Sequence, residues 1–402
     1  MENKKRPRGL KKSLAQDKEQ QKKRIKQDIP DGAAPNPEQD SQLRTVAITS
    51  EDPDEISILK SLYDAAVAKQ ESADLEGAVD LFRGCIHECD KILRIRCGEV
   101  LHTIDEKGED GSLEKKETGP LPPAFYLVYG NALAQLGLLS LKEDETATEA
   151  LNDHLEAALE RLERGLERAR EDGISPPLRL RISLGKVCLL LASNMLQSGS
   201  AREGEEKVTR LADRAAEEFK VNFNSITDSD KDEDILEAGA ASQRYADLLQ
   251  ELQGRQGWND IATALFQKLL EVNPSSVDAS IGIGACQLSM ANYYLEKMDD
   301  GDEVDGELII GPLKEALSQF ESAQQQSKDA DTVHVPLACL MGETLVNLGN
   351  LYDDTDADKA EDYWKNAIKC FRKVQEVDPE ALPEQFKDFV DEWEKDLDES
   401  QE

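Results

Sequence analysis

The chain has 402 residues, with 48 Lys+Arg against 83 Asp+Glu and a formal net charge of −35. Its longest unbroken apolar runs, such as Val187–Ala192, fall far short of the roughly 18 residues that span a bilayer, so no membrane role is expected. The opening is basic without an apolar stretch, which argues against a secretory signal, and seven Cys are too sparse for a disulfide scaffold.

Charge is unevenly placed. Residues 1–27 carry eleven Lys/Arg against three acids, so the tail is +8 and the remainder −43. Residues 1–53 lack a sustained apolar period and hold Pro7, Pro30, Pro35, Pro37 and Pro53. They read as a disordered tail, with a short helix near 13–27. From residue 54 to 402 the pattern is helical, one repeat domain. The three- and four-residue apolar recurrence predicts thirteen helices: 54–70, 74–103, 122–141, 147–172, 176–198, 201–221, 232–253, 258–272, 276–297, 311–327, 333–352, 357–377 and 382–398. Leu151, Leu155, Ala158, Leu162, Leu166 and Ala169 give the clearest case, closed by Gly173 and Pro176-Pro177. Three links are acidic: Asp228–Asp234, Asp299–Glu307 and Asp353–Asp358. The middle one looks like a calcium loop but has Ile310 where the twelfth-place Glu belongs, so it reads as a solvated loop.

A repeat step recurs along these helices. The tetratricopeptide pattern pairs a first helix bearing L-G-x2-Y with a second bearing A-x3-F, its small residues letting two helices approach. Ala78-x3-Phe82, Ala262-x3-Phe266 and Ala316-x3-Phe320 match the second helix. Leu345-x2-Leu348-Gly349-x2-Tyr352 matches the first, with Ala360-x3-Trp364 after it. The period is broken by insertions, so the expected fold is all-α, a degenerate tetratricopeptide-like solenoid, with an irregular bundle as the alternative.

Chemistry is not evident. There is no phosphate-binding G-x-x-x-x-G-K-[ST], no H-E-x-x-H and no G-x-S-x-G, and Gly282-Ile283-Gly284 lacks both the third glycine and a preceding strand. Cys85, His87, Cys89, Cys97 and His102 share one predicted helix, and a straight helix cannot converge them on a tetrahedral zinc. Cys188, Cys286, Cys339 and Cys370 lie in apolar stretches and read as core. No catalytic residue, metal ligand or cofactor is assigned. Direct nucleic-acid binding is disfavoured, because a body at −43 repels phosphates and the tail has no aromatic to stack bases.

Three features point to binding. Lys4, Lys5, Arg6, Arg8, Lys11 and Lys12, then Lys22, Lys23, Arg24 and Lys26, form two basic clusters with a spacer, the pattern an import receptor's acidic groove takes. Phe386, Phe389, Trp393 and Leu397 share one face of an otherwise acidic last helix, which reads first as a solenoid cap and second as a partner helix. The concave face of a repeat array offers a groove. Asn350 sits where a carboxylate-clamping groove has its Asn, but Val346 replaces its Lys, so a clamp is not expected.

The opening Lys5-Arg6-Pro7-Arg8-Gly9-Leu10-Lys11-Lys12, followed by Lys22-Lys23-Arg24, resembles the start of a fungal family, the enhancers of translation termination. Members are also named as negative regulators of a prolyl-hydroxylase-type dioxygenase. The resemblance implies a nuclear, non-catalytic protein with an acidic, tetratricopeptide-like body. It further implies binding to a 2-oxoglutarate and iron dependent dioxygenase, help with that enzyme's nuclear entry, restraint of its action on a transcription factor, and influence on stop-codon reading. The expectation is therefore a monomeric nuclear adaptor and regulator whose partners are such a dioxygenase and an import receptor. The rival expectation is an acidic chaperone of histones or other basic proteins, whose binding would depend strongly on salt.

Overall fold

The computed structural model describes residues 55–97, 120–143, 148–198, 201–220, 232–327 and 334–399. Among these residues there are thirteen helices and no strand. They are α1 (Glu55–Glu71), α2 (Leu75–Cys97), α3 (Pro123–Glu143), α4 (Thr148–Glu171), α5 (Leu178–Gln197), α6 (Ala201–Lys220), α7 (Asp232–Asp247), α8 (Leu252–Val272), α9 (Val277–Asp299), α10 (Glu307–Gln326), α11 (Val335–Tyr352), α12 (Ala357–Val377) and α13 (Glu384–Glu399).

The local rule behind the fold is a small residue four before a large one on every even-numbered helix. The pairs are Ala78/Phe82, Ala158/Leu162, Ala215/Phe219, Ala262/Phe266, Ala316/Phe320 and Ala367/Phe371, all buried. From α3 to α11, each odd helix answers with a glycine under the large side chain. Gly130 faces Leu162, Gly185 Phe219, Gly239 Phe266, Gly284 Phe320 and Gly342 Phe371. In α1 the slot is filled differently, by Tyr63 edge-on to Phe82 at 5.7 Å. Each such ring brings about 1.5–3 kcal/mol of apolar burial, which is what holds the two helices of a hairpin together.

The expected pairing in the eleventh and twelfth helices shifts accordingly. Gly349 does meet Trp364, but the step that matches the other hairpins lies seven residues away, at Gly342 with Ala367 and Phe371. Seven residues is about two helical turns, so both crossings sit on the same stripe.

The helices form consecutive hairpins. The chain divides into two compact units between Pro274 and Ser275. In the first, α1/α2, α3/α4, α5/α6 and α7/α8 are the tight pairs, and α1, α3, α5 and α7 neighbour one another in turn. In the second, α9/α10 and α11/α12 pair, and α13 lies against α12. The all-α helical-repeat expectation holds.

Two boundaries differ from the sequence reading. Gly254 and Gly257 suggest a break at 254–257, yet the chain turns at 248–251 and both glycines lie inside α8. The reason is Arg255, which is buried and caps the preceding helix. Its Nε donates to the Ala246 carbonyl (3.3 Å) and its NH2 to the Asp247 carbonyl (2.7 Å). Gly311-Pro312 looks like a helix entry, yet α10 begins at Glu307. Pro312 there forfeits only a bond to the carbonyl of Leu308, which is largely exposed.

Hairpin links are cut by specific chemistry. Gly173, at φ +67°, ends α4 in a left-handed turn, with Ile174 N–H reaching back to the Ala169 carbonyl at 3.0 Å. α3 departs from the sequence reading in another way: Pro123–Leu141 is long and apolar enough to cross a membrane by length and composition. Its apolar surface is taken up by its neighbours. Ala124 is the one exposed residue among its described side chains.

Candidate functional surfaces

The basic residues Lys4, Lys5, Arg6, Arg8, Lys11, Lys12, Lys22, Lys23, Arg24 and Lys26 lie outside the described residues, as does His102. The structure speaks to the other candidates.

Cys85, Cys89, Cys188 and Cys286 are core, Cys339 and Cys370 are half-buried against it, and the side chain of Cys97 lies outside the described residues. Cys85 and Cys89 are fully buried on α2, and the Cys85 thiol lies 3.7 Å from the Leu59 carbonyl. A hydrogen bond from the Cys89 thiol to Cys85, and after it burial, push Cys89 up. His87, between them, is exposed and faces away. Burial likewise pushes Cys188 up to about 12. None of these is poised as a thiolate. Among the described residues, no group of three or more His, Cys, Asp or Glu could hold a metal ion.

The acidic links at 299–307 and 353–358 are turns with capping work, while residues 228–231 of the third lie outside the described residues. Gly301, at φ +96°, turns the chain after α9, and the Glu307 N–H donates to Asp305 Oδ1 at 3.1 Å. Asp356 accepts from the Lys359 N–H at 3.2 Å and caps α12. A shallow recess is lined by Ser275, Val277, Asp278, Gln326, Ser327 and His334, beside two more caps. His334 Nδ1 accepts from the Leu337 N–H (3.3 Å) and Ser276 Oγ from the Ala279 N–H (3.3 Å).

The last helix is a cap. Phe386 stacks on Phe371 at 4.6 Å and Phe389 meets it edge-on at 6.3 Å. Val390 is buried beside them, and Trp393 meets Trp364 at 6.3 Å. The apolar stripe is thus spent inside the second unit. Asp388, Asp391, Glu392 and Glu394 stay exposed. The side chain of Leu397 lies outside the described residues.

The faces of the odd helices differ between the units. In the first unit the α5 face is filled. Among the described side chains of α5, Arg179 and Gln197 alone are exposed. Ion pairs tie α5 to α7: Arg179 Nε donates to Asp234 Oδ2 at 2.8 Å, and Lys186 pairs with Glu237. Burial raises Asp234 although Arg179 pulls it down. Deeper still, Glu218 is almost fully buried and accepts from both Arg181 (2.6 Å) and Arg214 (2.9 Å). Among the described residues, these pairs close the α5 face against α7.

In the second unit the odd helices keep a half-exposed polar row. Asn292 Nδ2 on α9 donates to Glu343 Oε1 on α11 at 3.1 Å. Asn347 Nδ2 donates to Asn292 Oδ1 at 3.4 Å. One turn further, the Trp364 indole donates to Asn350 Oδ1 at 3.2 Å. Asn350, singled out in the sequence, is exposed. In the observed register Cys339 and Glu343 take the clamp positions, and they too lack its Lys and Asn. Sequence reasoning missed Asn292 and Asn347, for which only pairing of hairpins gives a signal.

The surfaces gain a context from known proteins. "Enhancer of translation termination 1" of Yarrowia lipolytica is 22% identical over 366 residues, covering 85% of this chain and 87% of that protein. Its namesake in Candida albicans strain SC5314 is 24% identical over 385 residues, covering 81% and 85%. "Negative regulator of ofd1" of Schizosaccharomyces pombe is 28% identical over 178 residues, 40% of each chain. A solved structure of the S. pombe nuclear import adaptor Nro1 superposes with TM-score 0.54 at 20% identity, over 87% of this chain and 99% of that one, a likeness of fold. Residues 1–253 match the family described as nuclear pore complex subunit Nro1, a stretch that takes in both the basic opening and the first seven helices. The chain belongs to the Nro1 family.

Proposed function

We propose that the chain is a non-catalytic nuclear adaptor: its basic tail engages an import receptor and its helical body holds and restrains a partner protein. The observation that carries this reading is the family match, which joins the basic opening to the repeat body in one stretch. The names of its relatives narrow the partner. One is a negative regulator of ofd1 and a solved relative is a nuclear import adaptor, so the partner class is the 2-oxoglutarate and iron dependent dioxygenase that the family resemblance implies. Other relatives are named for translation termination, and the same adaptor would serve that process by holding or withholding such an enzyme. In this reading the body contributes packing and charge rather than chemistry.

Deleting residues 1–27 from the tagged chain tests the import half. Nuclear accumulation should be lost, and unchanged accumulation would sink it. Affinity purification from the native cells at moderate salt tests the partner half, with a dioxygenase expected among the co-eluting proteins. Histones that wash off as salt rises would favour the second reading, an acidic chaperone. What supports that second reading is the net −35.

A further inference from the structure

The half-exposed face of α9 and α11 has unspent hydrogen-bonding capacity of one kind. A side-chain amide carries one acceptor and two donors, so it can satisfy both the N–H and the C=O of a peptide backbone. Among the described residues, Asn347 uses its Nδ2 on Asn292 and leaves Oδ1 without a partner. Asn350 uses Oδ1 on the Trp364 indole and leaves Nδ2 without one. The two stand three residues apart on α11, about 4.5 Å along the helix axis and on one side of it. The free acceptor of one and the free donor of the other are therefore presented together. Both side chains are held: Asn347 through Asn292 to Glu343, and Asn350 by Trp364, which is itself packed on Trp393. Held amides lose little entropy on binding.

Charge decides what such a face accepts. Residues 275–402 contain 31 Asp/Glu and ten Lys/Arg, a net of −21 in under a third of the chain. Glu343 stands within the amide row. A phosphate or an acidic peptide is disfavoured here, and a cationic segment is attracted from a distance.

We infer that the α9–α11 face is a docking site for an extended, basic segment of a partner protein. Its backbone is read by Asn347 and Asn350, and its cations by Glu343 and the acidic surround. The inference rests on the reading of the chain as a partner-binding adaptor and names the chemistry of the partner.

The test uses the full chain and a fluorescein-labelled twelve-residue peptide alternating Lys and Thr, with a Glu/Thr peptide as the charge-reversed control. The Lys/Thr peptide should bind at physiological salt and the Glu/Thr peptide should not. N347A/N350A should weaken binding about tenfold, with the thermal unfolding midpoint unchanged. D388N/D391N/E392Q on the outer face of α13 should leave it within twofold. Equal affinity of wild type and N347A/N350A would overturn the proposal, as would loss of binding in the α13 variant, which would make the attraction a general one. Tenfold tighter binding by a chain lacking residues 1–27 would give the face to the chain's own tail and equally overturn it. Self-association abolished by N347A/N350A would give it to a second copy. Nuclear accumulation of N347A/N350A should stay normal, so failure here and failure of the import reading are separate results.

Discussion

Gly284 and Gly342 show how little room the hairpins leave. A Cβ added at Gly284 would stand 2.4 Å from Phe320 Cε1, and one at Gly342 would stand 2.2 Å from Phe371 Cε1. Rings this deep cannot move aside, because Phe320 and Phe371 are fully buried. Gly284→Ala and Gly342→Ala should each destabilise the fold by about 1–3 kcal/mol through overpacking. Gly84 and Gly257 are the internal comparison. Both are helical and exposed, and an added Cβ meets nothing within 4 Å. Gly84→Ala and Gly257→Ala should therefore stabilise by about 0.5–1 kcal/mol, the ordinary gain in helix propensity. Urea unfolding of the four variants measures the split. If all four shifted the same way, the ring-in-slot account of the hairpins would fail. The large half of each slot was partly legible in the sequence, since A-x3-F is a local step. The small half was not, because Gly185, Gly239 and Gly342 read as weak points in helices until the partner ring is known.

At the scale of the element, the turn between α7 and α8 depends on one buried cation. Arg255 donates to the Ala246 and Asp247 carbonyls at the end of α7, and the Leu249 N–H also reaches Ala246 at 3.0 Å. Arg255→Ala should cost about 1–3 kcal/mol, since two hydrogen bonds from a buried, charged donor are lost. Hydrogen exchange should also accelerate in the last turn of α7 before it does so elsewhere. A variant whose α7 amides exchange at the wild-type rate would show that water caps the helix as well as Arg255 does. Sequence placed this break about six residues late for a physical reason. A charged residue between Gly254 and Gly257 looks like a solvated loop, and only tertiary burial makes it a cap. The same limit applies to the docking face. Asn292 and Asn347 are 55 residues apart and join only because hairpin α9/α10 stacks beside α11/α12. The tail, by contrast, is legible as charge alone, because its proposed role needs no fold. The cap helix was legible for a third reason: its three-, four-, four-residue stripe is long enough to fix a face, and the wet remainder is all charge.

Over the whole molecule, the tyrosines make an opposed set of titrations. Tyr63 and Tyr129 are raised above the ordinary 10, in each case by burial first; Tyr63 is further raised by Glu237, and Tyr129 by its hydrogen bond to Asp90. Burial raises Tyr245 as well. For these groups the folded chain keeps protons that the unfolded chain gives up near pH 10. The stability they provide is complete below pH 10 and is lost as pH rises toward the folded values. Tyr352 runs the other way. Lys359, and after it Lys314, lower its pKa, and Lys359 Nζ lies 3.7 Å from the ring centroid. Its contribution is present above pH 10 and lost as pH falls through the lowered value, but it is one group against three. Every further deprotonation also adds to a charge already at −35, and self-repulsion favours the open chain. The unfolding midpoint should therefore fall steeply above pH 10. Tyr352 should ionise before Tyr63, Tyr129 and Tyr245, while the chain is still folded, and those three should ionise only as it unfolds. Tyrosinate absorbance followed beside circular dichroism resolves the two phases, and Lys359→Gln should delay the first without moving the second. A single phase coincident with unfolding in both proteins would mean that the lysines do not hold Tyr352. The rings of Tyr352 and Tyr363, stacked at 5.8 Å, would then join α11 to α12 by apolar contact alone.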